Sequence, residues 1–181
     1  PVPDSPVNTD NPGFGVTGVI SERGAFLQAG AGWYPEVRGS RATFAVEIDG
    51  PPGVIGVTAG RSLGHETRGG RTSSRWEVLP PVEGLALSAA GYAVRERAVG
   101  EVTAATYLLP ETLGLSGPYL DAIAKYLLLY DGLFGPYPFE KFAVVENFFP
   151  TGYGFPSYTL LGGTVMRLPF IIQTSLGHEI A

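Results

Sequence analysis

Hydrophobic and polar positions alternate over residues 41–48, with Ala42, Phe44, Val46 and Ile48 on one face, which predicts a half-buried strand. Asp49-Gly50-Pro51-Pro52-Gly53 predicts a turn after it. Residues 54–59, 73–78, 85–94 and 102–109 read as further strands from their apolar and β-branched content. Strands recurring at short spacing between Gly/Pro turns predict an antiparallel sandwich or curved sheet. Trp33 and Trp76 are expected core anchors of this part. Arg61, Arg68, Arg71 and Arg75, with His65 among them, read as a solvated hairpin connection. His65 reads as a surface residue, because no acidic or histidine neighbour stands at ligand spacing.

After about residue 110 the pattern changes. Gly117-Pro118 opens a predicted helix through residue 130, with Leu120, Ile123, Ala124, Leu127 and Leu128 at i, i+3, i+4, i+7 and i+8. Tyr119, Tyr126 and Tyr130 are expected to pack this helix. Residues 142–146 predict a buried strand, residues 147–157 an aromatic and glycine-rich loop, and residues 158–165 another strand. Pro169 is expected to start the last helix, on which Ile171, Ile172, Ser175, Leu176 and Glu179 share a face. The expected organisation is a polar lead-in over residues 1–15, an antiparallel β domain over 16–110 and an α/β part over 111–181. The fold class is mainly β with a smaller α/β part.

Composition narrows the functions. A hydrophobic content of 44% in 181 residues is enough for a substantial core, and 26 Gly with 16 Pro favour turns and short strands over a helical bundle. The net charge of −5 argues against a nucleic-acid-binding surface. No cysteine is present, which excludes disulfides and thiolate metal sites and is compatible with either side of a membrane. No apolar run is long enough to span a bilayer, so no membrane contact is expected.

The most specific chemistry stands at the end: His178-Glu179-Ile180-Ala181, the first four positions of H-E-x-x-H. In that motif two histidines at i and i+4 on one helix face bind zinc, and the glutamate after the first is the general base. His178 is thus a candidate metal ligand and Glu179 a candidate catalytic base. A solvated His-Glu pair at a helix end is the other reading of the same letters. The start at Pro1 and stop at Ala181 lead to the expectation of a fragment, truncated inside the motif.

Together with the earlier segments this ending resembles the aminopeptidase N-like family of gluzincin zinc metallopeptidases. Trp33-Tyr34-Pro35, the β region, Leu129-Tyr130-Asp131, Phe134-Gly135-Pro136-Tyr137-Pro138, the strand over 142–146, a Gly-rich loop and His178-Glu179 come in the family's order. The resemblance implies an antiparallel, saddle-like β-sandwich domain followed by the start of a thermolysin-like catalytic domain. It implies a histidine after Ala181, a glutamate on a later helix as third zinc ligand, and a peptide substrate. In such enzymes zinc activates a water and the glutamate takes its proton. One imidazole is a poor zinc site, so zinc is expected in the parent protein and none in this stretch, which is expected to be inactive without the missing C-terminal part of its own catalytic domain.

One element departs from the family pattern. Gly-x-Met-Glu-Asn, whose glutamate holds the substrate's amino terminus, is replaced by Gly152-Tyr153-Gly154-Phe155-Pro156-Ser157, without a carboxylate. Strict aminopeptidase specificity is therefore in question, and the alternatives are an endopeptidase or an enzyme whose substrates have their amino end held differently. The Gly152, Tyr153 and Gly154 backbone reads either as an edge along a bound peptide or as an aromatic-packed turn. Glu146, in the pair Glu146-Asn147, reads either as a substitute anchor or as a polar strand end. A non-catalytic peptide- or protein-binding scaffold that keeps the peptidase fold is the alternative function.

Overall fold

Residues 15–181 are described by the computed structural model. The expected lead-in over residues 1–15 lies outside them, save for Gly15. The chain divides into two compact units at Gly91/Tyr92.

The first unit contains strands β1 (Gly18–Ser21), β2 (Gly24–Leu27), β3 (Ala42–Gly50), β4 (Ile55–Val57), β5 (Arg61–Arg68), β6 (Arg71–Val82) and β7 (Leu87–Ala90). They form a four-stranded sheet ordered β1-β2-β7-β4 and a three-stranded sheet ordered β3-β6-β5, antiparallel throughout. The alternation in β6 shows why it forms: Thr72, Ser74, Trp76 and Val78 are buried, while Arg71 and Arg75 on the other face are exposed. Trp76 is fully enclosed and its indole N–H donates to the Gly56 carbonyl at 2.9 Å. Burial of such a ring contributes about 2–3 kcal/mol, provided its N–H finds a partner. Trp33 is half-buried and packs on a smaller cluster of Leu27, Leu87 and Ala89.

The arginine-rich stretch forms the paired strands of a hairpin, Arg61 and Arg68 on β5 and Arg71 and Arg75 on β6, and is not a connection. β5 pairs along its length with β6, and Arg68, Arg71 and Arg75 line a polar depression together with Glu47, Asp49 and Glu66. Interleaved charge on a solvated sheet face replaces the apolar signal that a strand reading needs. His65 is half-buried, with its ring 5.7 Å from that of Trp76, so its reading as a surface residue is corrected.

The second unit begins with β8 (Ala93–Val99) and β9 (Val102–Leu108), followed by a 3₁₀ turn (Pro110–Leu115) and helix α1 (Ser116–Phe134). β10 (Lys141–Asn147), β11 (Gly152–Phe155) and β12 (Tyr158–Gly162) complete a five-stranded sheet ordered β11-β12-β10-β9-β8. β9, β10 and β12 are parallel, and α1 is the crossover between the first two. Every residue of β10 is buried, as befits a central parallel strand. Helix α2 (Gly163–Met166), a π-helical turn (Ile171–Ser175) and helix α3 (Leu176–Ile180) follow. No helix among the described residues is long and apolar enough to cross a membrane.

These pairings move the division of the chain. The run 85–94 splits into β7 and β8, on either side of Gly91/Tyr92, and β9 joins the sheet of β10. The boundary therefore falls at residue 91 and not near 110. Helix α1 buries Tyr119, Leu120, Ile123 and Leu127, whereas Leu128 is 67% exposed: the inward arc is centred about a residue earlier than its leucines indicated. Its core also takes in Phe142, Val144, Leu161, Met166, Ile171, Leu176 and Ile180. Lys141 heads β10 in full burial, its Nζ 5.4 Å from the centre of the Tyr158 ring. Burial lowers its pKa to about 7, against an opposing pull from Glu96.

Candidate functional site

The final helical segment starts at Ile171 and not at Pro169, and its first turn is wound as a π-helix. Its position is set from α1. The Tyr126 hydroxyl donates to the Gln173 carbonyl at 2.6 Å, and a Cβ built on Gly177 would lie 2.8 Å from the Tyr126 ring. Glycine just before His178 thus lets α3 approach α1 closely. Leu176 and Ile180 are buried in the core, His178 is exposed, and Glu179 is half-buried.

Glu179 faces the hairpin of β11 and β12. Thr159 on β12 pairs in register with Gly154 on β11. The Thr159 hydroxyl stands 3.1 Å from the Tyr153 carbonyl oxygen and 3.4 Å from Glu179 Oε2. A Cβ built on Gly154 would lie 2.6 Å from Glu179 Oε2, so the carboxylate occupies the space a larger residue would fill. The fold thus brings Glu179 together with Tyr153 and Gly154, from a segment read as loop that is in fact the outermost strand of the sheet. A cavity of about 310 Å³ opens beside them, lined by Tyr130, Phe134, Tyr137, Phe155, Pro156 and Glu179 among others. Burial raises the Tyr137 pKa above its ordinary value, which keeps that hydroxyl protonated.

Glu146 is placed differently. It is 4% exposed and is not among the residues that line the cavity. Its Oε2 accepts from the Leu109 N–H at 2.8 Å and from the Thr112 hydroxyl, and a Cβ on Gly163 would lie 2.5 Å from its Oε1. Thr112 and Thr159 were not singled out in the sequence. Each is one threonine among many, marked only by a partner 34 or 20 residues away.

A metal centre needs several converging ligands. Among the described residues no group of three His, Asp or Glu side chains is placed to hold a metal ion. His178 supplies one imidazole, so these residues do not by themselves fit a zinc site.

No protein-family model matches the chain. No curated protein matches it either. Solved structures do. A mutant M1 zinc metallopeptidase from Deinococcus radiodurans superimposes with a TM-score of 0.66 at 18% identity, over 87% of this chain and 39% of that one. The same mutant bound to a Tyr-Ser-Ala substrate gives 0.63 at 18%, over 86% and 39%. An M1 zinc metallopeptidase from that organism gives 0.64 at 20%, over 83% and 36%. The chain spans less than two fifths of the length of these structures. Its fold is that of the corresponding part of M1 zinc metallopeptidases.

Proposed function

We propose that this chain is part of a zinc-dependent, aminopeptidase N-like metallopeptidase that hydrolyses peptide bonds, with His178 as one zinc ligand and Glu179 as the general base. The observation that carries the reading is the place of Glu179: on the helix of His178, at a cavity wall, and against an outermost strand. An extended peptide adds to such a strand through main-chain hydrogen bonds, and Gly152 and Gly154 permit close approach. The likeness to M1 zinc metallopeptidases, one of them bound to a tripeptide substrate, supports a peptide as substrate. The remaining ligands are those the resemblance implies, a histidine after Ala181 and a glutamate on a later helix. The reading includes a saddle-like β-sandwich, a thermolysin-like catalytic part and an inactive isolated chain.

Specificity for a free amino terminus is not supported by β11, which carries no carboxylate, and Glu146 is committed to Leu109 and Thr112. The same observation favours a second reading, a non-catalytic peptide-binding scaffold with the peptidase fold. Zinc content by mass spectrometry, with peptide hydrolysis, separates the two in the chain extended through the rest of its catalytic domain. Stoichiometric zinc that is lost in His178→Ala, and hydrolysis that is lost in Glu179→Gln, support the peptidase. No zinc and no hydrolysis support the scaffold.

A further inference from the structure

We propose that Thr159 and Gly154 together form the seat of Glu179 and act as positioning residues that fix the base against strand β11. This rests on the reading of Glu179 as general base and adds to it two residues that act through Glu179.

Three observations converge on one carboxylate oxygen. Register pairing puts Thr159 and Gly154 side by side on the same face of the hairpin. The Thr159 hydroxyl, fully buried, lies within reach of both the Tyr153 carbonyl oxygen and Glu179 Oε2. Gly154 leaves bare the space in which that oxygen rests, 2.6 Å from where a Cβ would stand. The backbone of Gly154 is not in the left-handed region, so no turn requires glycine there; the carboxylate does.

The consequence is a fixed distance. A hydroxyl carries one proton, so Thr159 donates either to the strand carbonyl at 3.1 Å or to the carboxylate at 3.4 Å, one at a time, and sits between the two. Tyr153 belongs to the strand along which a peptide would lie, so one side chain ties the base to the substrate's own track. General-base catalysis demands hydrogen-bond reach to the proton, and a misplacement of about 1 Å costs about 10²-fold in rate. A methyl at 154 would push the carboxylate into the cavity. A valine at 159 would keep the shape of the seat and remove the bond.

The test compares Thr159→Val, Thr159→Ser and Gly154→Ala with the wild type and Glu179→Gln. In the chain labelled with ¹³C-carboxyl glutamate, the Glu179 resonance is identified by its loss in Glu179→Gln. It should shift in Thr159→Val and in Gly154→Ala and stay in place in Thr159→Ser. In the full-length protein, kcat should fall about tenfold in Thr159→Val and about 10²-fold in Gly154→Ala. Zinc content should hold in both variants, KM should hold in Thr159→Val, and Thr159→Ser should recover most of the rate. A Glu179 resonance unmoved in both Thr159→Val and Gly154→Ala overturns the seat whatever the kinetics. A wild type no faster than Glu179→Gln overturns the peptidase reading alone, and the resonance then decides the seat.

Discussion

Glu146 and Glu179 both rest against a glycine, Gly163 in one case and Gly154 in the other, and their surroundings otherwise differ. Glu146 is sealed in the sheet-to-helix junction, where a backbone N–H and the Thr112 hydroxyl both donate to it. Those donors take the place of lost water, without which a buried carboxylate would be expensive. Glu179 has one hydroxyl nearby, which it shares with a carbonyl, and it opens on a cavity. The lone pairs of Glu146 are spent on the fold, whereas Glu179 keeps an oxygen at a cavity wall. The donor count around each group separates the glutamate that holds the fold from the one proposed as base.

The sharpest way to break this contrast is to neutralise each carboxylate. In the full-length protein, Glu179→Gln should lower peptide hydrolysis by the full contribution of a general base, about 10³-fold, with thermal stability unchanged. Glu146→Ala should do the reverse, lowering stability by about 3 kcal/mol as the Leu109 N–H and Thr112 hydroxyl lose their acceptor. Chemical denaturation reads both, and a Glu146→Ala protein as stable as wild type would remove the structural role given to that residue. The two glycines sharpen the contrast further. Gly163→Ala should destabilise by about 2 kcal/mol through crowding of Glu146, whereas Gly154→Ala should change rate more than stability.

Lys141 provides a pH-dependent effect and a third kind of charged group, one enclosed at the head of β10. Its folded pKa near 7 lies below the ordinary 10.5 because burial disfavours the ammonium. Between those values the unfolded chain binds a proton that the folded chain does not. Stability should therefore rise with pH across that window, by at most about 1.4 kcal/mol per pH unit. Lys141→Met should flatten the slope. Parallel slopes in the two proteins would show that Lys141 does not titrate there.

Much of this architecture was legible from local pattern. The alternation over 41–48, the turn at 49–53, the helix opening at Gly117-Pro118 and the strand over 142–146 each appear as β3, the turn after it, α1 and β10. Each depends on periodicity within a few residues. β5 and β11 were not legible, since both contain glycine, a poor strand former, neither shows a clean apolar alternation, and these segments are held by pairing with β6 and β12. The placement of β9 with β10 was equally invisible, because the choice of sheet partner is made across the whole of α1.

The candidate chemistry divides in the same way. His178 and Glu179 were found from adjacent letters, because a helix fixes the spacing of neighbours and so writes their geometry into the sequence. The roles of Glu146, Gly154, Thr159 and Gly163 came from contacts between segments distant along the chain. Local propensity determines which residues share a helix face or a strand face. Close packing of remote elements determines which carboxylate is enclosed and which is left facing a cavity, and that packing depends on volumes and donors that no short stretch of residues contains.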